Sequence, residues 1–439
     1  MLGKSPAKNH LESLVSPFGL VLILTFFTFF LVLTNNSKED LSTSYGIGEV
    51  LGFWQNGFFG LMGFTLQMMM ILVFGYALAI FKPVNSFLRS ISQIPKNLVT
   101  AVLLTASVTL VAGLLNWGFG LIVGALLARF VHEALVEKGI GTNAALLAAT
   151  GYLGMSVWHG GLSGSAPLTV AEQGHFLEKE LGVIPVEATI FSEFNLLITG
   201  GLVFVFLLTA WFLAKSGSKS YEGNEAVSLD PMGPGVENNL ARVAGLFMLL
   251  LVILGVVFGK DQGLGFISLN WINFLLFAVT LIVYRSPVNF SNAVAKGLKS
   301  SADIFIQFPF YAGILGLITD SGLLATFAEV SIELISPELF PIFTFFSAGL
   351  VNLFVPSGGG QWAIQGPIIF ETATALSLDT GKMIMVFAYG DQISNLLQPF
   401  WALPLLSITG VSVRKIFPYT LIFFIVGLFW LSMSLFLFF

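Results

Sequence analysis

Apolar stretches long enough to cross a bilayer follow one another along nearly the whole chain, separated by short polar segments. A transmembrane helix needs about 20 such residues to span roughly 30 Å of hydrocarbon. On that measure the pattern predicts spans at 14–34, 58–81, 143–171, 192–214, 241–259, 265–284, 303–319, 382–410 and 418–439. Two further runs, 98–131 and 341–376, carry polar turns at their centres, "NWGFG" and "VPSGGGQ". At about 34 residues the first is short for two full crossings and suits a re-entrant helical hairpin, and the second has the same form. The segment 215–240, rich in Gly, Ser and Pro, is the one evident linker.

Composition makes the class definite. With 56% hydrophobic and 10% charged residues among 439, the chain cannot cover a water-soluble surface. It reads as an all-α integral membrane protein. The first run follows Lys4 and Lys8 as a secretory signal would, but it is long and lacks a small-residue cleavage site, so it is read as a retained span. The absence of cysteine excludes disulfides, thiolate metal sites and a cysteine nucleophile. No cofactor and no nucleic-acid partner are expected.

Charge placement sets the topology. Lys82, Arg89 and Lys96, Arg129 and Lys138, Lys215 and Lys219, Arg285, Lys296 and Lys299, and Arg414 and Lys415 mark cytoplasmic loops. Acid-rich or neutral segments alternate with them. The N-terminus is then cytoplasmic and the C-terminus outside, with one hairpin entering from each side.

The sequence also repeats itself. "AGLLN" at 112–116 returns as "AGLVN" at 348–352; Tyr152 and Pro167-Leu168 return as Tyr389 and Pro404-Leu405; 64–79 pairs loosely with 304–319. These matches fall nearly in register. They divide the chain into a first repeat (14–214, hairpin about 98–131, broken helix 143–171), the linker 215–240, a linking span 241–259, and a second repeat (265–439, hairpin about 341–376, broken helix 382–410). By the charge pattern the two copies have opposite orientation. Inverted repeats with interrupted helices are characteristic of secondary transporters, whose site lies near the bilayer midplane.

Four segments bring hydrogen-bonding residues and broken backbone to membrane depth: Asn116-Trp117-Gly118-Phe119-Gly120, "WHGGLSGSAP" at 158–167, "PSGGGQW" at 356–362, and "GDQISNLLQPF" at 390–400. Unsatisfied backbone in hydrocarbon costs several kcal/mol per group, so such breaks survive only where protein or a cavity surrounds them. Helix starts there suit an anion and helix ends a cation. Gly120 and Gly124 are better read as close-packing residues. "PSGGGQW" is not, because close packing needs neither proline nor glutamine. Asp391 is the most deeply placed acid, a candidate for ion coupling or for accepting backbone hydrogen bonds at a half-helix start; His159 is a candidate for substrate contact, proton relay or a neutral core role. "GLSG" at 161–164 matches a short intramembrane serine-protease motif, but the remaining histidines are expected in loops or at helix ends, and His159 is badly placed for a dyad with Ser163.

The strings "QNGFFGLMGFTLQMMMILVFGYALA", "QFPFYAGILGLI", "VPSGGGQWAIQGP" and "YGDQISNLLQPFWALPLL" resemble the bacterial short-chain fatty acid transporter family and, at greater distance, the ion transporter superfamily. The resemblance implies a cytoplasmic-membrane permease for small monocarboxylates, coupled to H+ or Na+, working by an elevator-like motion and assembled as a homodimer. It places Asn116 and Asn352 at hairpin tips near cation and carboxylate, Ser357 to Gln361 at the second tip, and Asp391 and Asn395 in the broken helix. The first tip departs from the pattern, having no Ser or Thr beside its asparagine.

The expected substrate-binding set is Asn116, Gly118, His159, Ser163, Ser165, Asn352, Ser357, Gly358, Gly359, Gln361, Asn395 and Gln398. Asn116, Asn352 and Asp391 are expected in ion coupling, with any Na+ near Asn352, Ser357 and Asp391. Trp158, Trp362, Phe354 and Phe400 are expected to line a small apolar pocket. The alternatives are transport of a dicarboxylate or amino-acid-like anion, a channel, or an intramembrane hydrolase using Ser163.

Overall fold

The computed structural model describes residues 17–34, 45–216, 231–233, 239–258, 264, 266–323, 326, 330, 335–353, 355, 357–398 and 401–439. Among them the regular structure is helical, apart from an isolated bridge between Phe81 and Met232. In chain order the first half holds α1 (Pro17–Thr34), α2 (Ile47–Gly60), α3 (Met62–Ala79), α4 (Lys82–Ser92), α5 (Leu98–Leu115), α6 (Trp117–Glu137), α7 (Ala144–Tyr152), α8 (Ser165–Val170), α9 (Glu178–Leu181) and α10 (Glu193–Ser216). The second holds α11 (Leu240–Phe258), α12 (Leu269–Tyr284), α13 (Pro287–Ser300), α14 (Ala302–Asp320), α15 (Phe340–Asn352), α16 (Gly358–Ala375), α17 (Thr380–Ser394), α18 (Leu403–Thr409) and α19 (Val413–Phe438).

Six of these helices, α3, α5, α6, α10, α11 and α19, are long and apolar enough to cross a membrane. Their exposed faces carry large apolar side chains, Phe204 and Phe212 on α10, Phe247 and Phe258 on α11, Phe429 and Phe436 on α19. Contiguous apolar surface of that extent belongs in hydrocarbon, not in water. By contrast α6 is buried along most of its length and sits at the centre.

Three departures from the sequence reading have simple causes. The span read as 58–81 is α3, Met62–Ala79, and the stretch before it, given no span in the sequence reading, is a further helix, α2, separated from α3 at Leu61. α2 packs along α14 through Gly57 and Gly316, where a Cβ on Gly57 would stand 2.5 Å from the Ala312 carbonyl. The charged segments after Ile80 and after Tyr284 are not plain loops but helices, α4 and α13, each with a proline in its first turn, where the missing N–H costs nothing. α4 buries Asn85, Leu88 and Ser92 and turns Lys82 and Arg89 outward, the pattern of a helix lying along an interface.

The breaks are built from residues that cannot continue a helix. α5 gives way to α6 at Asn116, which is extended (φ −160°, ψ 126°) and whose Oδ1 accepts from Phe119 N at 2.8 Å as an N-cap. Ser357 does the same for α16, accepting from Gly360 N at 3.2 Å. α7 ends at Tyr152 and is continued by two 3₁₀ turns, Leu153–Ser156 and Trp158–Gly160, before α8. α17 ends at Ser394 in a 3₁₀ turn, Asn395–Leu397, before α18.

Glycines let these pieces touch backbone to backbone. A Cβ on Gly113 would lie 2.5 Å from Gly154 O, and one on Gly151 would lie 2.5 Å from Gly124 O, so α5 and α6 are held against the α7 strand of the chain at main-chain distance. Gly349 and Gly390 bring α15 and α17 together in the second half.

Candidate functional site

The two interrupted helices meet at a buried hydrogen bond between His159 and Asp391. Ala166 N donates to His159 Nε2 at 3.0 Å, and a backbone N–H can only donate. Nε2 therefore accepts, the ring proton sits on Nδ1, and Nδ1 donates to Asp391 Oδ1 at 3.0 Å. The ring stacks on Trp158, 4.4 Å between centroids at 12°, and packs edge-on against Phe387. Gln392 Oε1 accepts from His159 N at 3.0 Å, closing the junction. Asp391 is buried, yet its Oδ2 has no hydrogen-bond partner among the described residues.

A second node ties the tip of α15 to α17. Asn352 Nδ2 donates towards Asp391 O at 2.8 Å, Ser394 Oγ at 2.8 Å and Asn395 Oδ1 at 3.1 Å. Gln398 donates to Asn352 O. Asn395 Nδ2 reaches across to Met155 O at 2.9 Å, so one asparagine on each side of the break couples the second tip to the first interrupted helix. At the first tip, Asn116 Nδ2 donates to Ile71 O of α3 at 3.2 Å and Trp117 N donates to Ser163 Oγ at 2.9 Å. The hydroxyl absent beside Asn116 in sequence is thus supplied by Ser163 in space.

Between these nodes lies a small cavity lined by Met68, Trp117, Met155, Trp158, Ser165, Ile304, Phe308, Ser357, Gly358, Gly359, Asp391, Asn395 and Trp401. Among the described residues lining it there is no lysine or arginine. The space open to the centre of a water molecule is about 30 Å³, room for little more than one or two waters. The start of α16 forms one wall, and its glycines are sterically required. A Cβ on Gly358 would stand 2.7 Å from Trp158 Cη2 and 3.0 Å from His159 Cε1; one on Gly359 would meet Phe64, Met68 and Phe308. The first N–H groups of a helix have no intrahelical partner, so this wall presents donors.

Of the residues expected from sequence, Ser165, Ser357, Gly358, Gly359, Asp391 and Asn395 line the cavity, and His159 stands directly behind Asp391. Asn116, Gly118, Ser163, Asn352, Gln361 and Gln398 are not on its wall. Gly118 packs on Leu72, and Gln361 Nε2 donates to Ala348 O at 2.8 Å and Gln365 Oε1 at 2.9 Å. Trp362, expected in the pocket, instead packs on Phe387 at 5.1 Å in a separate apolar cluster. Phe354, Phe400 and Pro356 lie outside the described residues. His132 is not in a loop but buried on α6, its Nδ1 3.3 Å from Thr142 Oγ1. Met68, Met155, Ile304, Phe308, Trp117 and Trp401 were not anticipated, because a lone apolar residue in an apolar helix gives no signal of which cavity it faces. No hydrogen bond among the described residues joins Ser163 to a histidine; its Oγ accepts from Trp117 N instead.

The sequence model of a family described as the short chain fatty acid transporter matches residues 8–438. The chain belongs to this family. A relative from Escherichia coli K12, provisionally named a short-chain fatty acid transporter, is 36% identical over 424 residues, covering 92% of each chain. One from Haemophilus influenzae with the same provisional name is 35% identical, covering 95% of this chain and 96% of its own. Among solved structures, the YdaH transporter of Alcanivorax borkumensis superposes with a TM-score of 0.62 at 16% identity, covering 96% of this chain and 97% of its own. MtrF of Neisseria gonorrhoeae, described within a class of antimetabolite efflux pumps, gives 0.62 at 16% identity over 98% and 97%. That likeness is one of fold. Family and apolar helices together make this a multi-pass membrane transport protein with a small carboxylate as its class of substrate.

Proposed function

We propose that the chain is a secondary-active permease for short-chain monocarboxylates such as acetate, butyrate or acetoacetate in a bacterial cytoplasmic membrane, driven by a H+ or Na+ gradient. The observation that carries this reading is the cavity where both interrupted helices meet the second tip: a helix start and two hydroxyls face a single buried carboxylate, Asp391, whose Oδ2 lacks a partner. An organic anion entering beside Asp391 needs a proton or Na+ to offset the like charge. Asp391 is the coupling residue in this scheme, with Asn116 and Asn352 holding the tips that flank it. A two- to four-carbon acid needs one anion-binding element and a small apolar pocket, which the start of α16 and the aromatic wall would supply once the cavity opens beyond the one or two waters it now admits.

The mechanism proposed is elevator-like alternating access between two inverted repeats, 14–214 and 265–439, joined by the cytoplasmic linker 215–240 and the span 241–259. The N-terminus is cytoplasmic and the C-terminus outside, and the protein works as a homodimer. Two tips capped by polar residues, two interrupted helices, and two amphipathic helices that both carry Pro-Val-Asn in the first turn (83–85 and 287–289) support the internal pairing. Uptake of labelled butyrate into proteoliposomes under separately imposed proton and sodium gradients tests the reading. Accumulation against a butyrate gradient with one ion and not the other is the expected result; passive equilibration alone would sink it in favour of a channel.

A further inference from the structure

One residue of the cavity wall carries a polar atom that the scheme above leaves unexplained. Trp158 is buried and lines the cavity, and its enclosed indole Nε1 has no hydrogen-bond partner among the described residues. A buried indole donor left unpaired costs stability, so packing alone gives no reason for one.

The ring is also fixed with unusual care for a mere wall. One face stacks on His159, which is itself locked between Asp391 Oδ1 and Ala166 N. Its outer edge abuts the backbone of Gly358, with Cη2 and Cζ2 2.7 and 3.1 Å from where a Cβ would be, so nothing larger than glycine can stand there. Cζ2 and Nε1 are attached to the same ring carbon, which puts the indole N–H on the side of the ring nearest the start of α16. Trp117, 6.1 Å away, and Trp401 continue the aromatic wall.

We infer that Trp158 donates its indole N–H to the carboxylate of the bound substrate, alongside the first-turn N–H groups of α16. The inference rests on the monocarboxylate reading given above and assigns the anion-recognition donor within it. It accounts for three features together: an orphan donor in a buried site, a ring held rigid by stacking, and a cavity wall without lysine or arginine that has to recognise an anion. Asp391 lies on the same wall through His159, so the carboxylate held by Trp158 sits next to the one acid of the cavity.

The test is Trp158→Phe in the full chain, reconstituted in proteoliposomes and assayed with labelled butyrate. Loss of one hydrogen bond to a charged group should raise KM at least about tenfold, with Vmax held within about twofold. Butyrate should stabilise the wild-type protein against heat in detergent and fail to stabilise the variant. A second replacement, benzothienylalanine at position 158, keeps the bicyclic shape with sulfur in place of N–H and should give the same rise in KM. An unchanged KM in both variants overturns the inference while leaving the transport reading intact. A wild-type protein that takes up no monocarboxylate removes the transport reading and this inference with it.

Discussion

Replacing His159 by asparagine or by glutamine separates the two hydrogen bonds of its ring. Asparagine places its amide N–H where Nδ1–H stood and keeps a donor for Asp391 Oδ1, but it leaves Ala166 N without an acceptor. Glutamine places its carbonyl where Nε2 stood and keeps Ala166 N satisfied, but it strips the donor from a fully buried carboxylate oxygen. An unpaired buried neutral N–H costs about 1–3 kcal/mol. Leaving a buried carboxyl oxygen without its donor costs more than leaving an amide N–H without its acceptor, because hydrogen bonds to carboxylates are worth about 1 kcal/mol more than neutral ones. His159→Gln should therefore be the more damaging by roughly 1 kcal/mol, seen as a lower midpoint of thermal unfolding in nanodiscs and a larger fall in butyrate uptake. Both variants lose the stack on Trp158, so that common loss cancels in the comparison. If asparagine proves equal to or worse than glutamine, the tautomer deduced from the Ala166 contact is wrong.

Other expectations follow from single contacts. Ser163→Ala removes the acceptor of Trp117 N and should destabilise the first tip by about 1–3 kcal/mol, lowering uptake; abolished ester hydrolysis with uptake spared would instead restore the hydrolase reading. Gly360→Ala drives a methyl into the buried ring of Tyr311, which lies 2.7 Å away at Cε2. Overpacking of that kind costs about 1–3 kcal/mol, so uptake should fall and partly recover when Tyr311→Ala is added; no recovery would mean the clash is not the cause. Glu172 accepts from Asn270 N at 2.9 Å and Nδ2 at 2.6 Å, joining the loop after α8 to the start of α12. Because the chain has no cysteine, cysteines placed at 172 and 270 and bridged by a reducible thiol cross-linker should arrest transport until reduced; undiminished uptake in the bridged protein would refute relative motion there.

What the sequence made legible was set by which signals survive in a chain this apolar. Proline, glycine and asparagine stand out against leucine and phenylalanine, so the breaks near Asn116, His159, Ser357 and Asn395 were visible before any coordinates. The polar atoms of the site could be named for the same reason. Which of them face the cavity could not, because Asn352 and Gln361 look like ligands in sequence yet spend their amides on Asp391 O and Ala348 O. The helices α4 and α13 were hidden by their charge, which reads as loop, although their apolar residues recur at helical spacing. The separation of α2 from α3 at Leu61 has no sequence mark beyond the glycines on either side. What the indole N–H of Trp158 touches was out of reach, since the sequence marks Trp158 as a pocket-lining ring without showing where its donor lies.

The glycine contacts have a bearing on where movement is available. Where Gly113 meets Gly154, Gly124 meets Gly151, and Gly349 meets Gly390, main chain rests on main chain, a joint that leaves no side chain to rearrange. The Gly57 and Gly316 crossing of α2 and α14 is of the same kind. At the start of α16, in contrast, bare backbone lies against the side chains of Met68, Phe64, Phe308 and Tyr311. If the hairpin moves as proposed, the main-chain joints are the contacts expected to hold and the side-chain face of α16 the one expected to give.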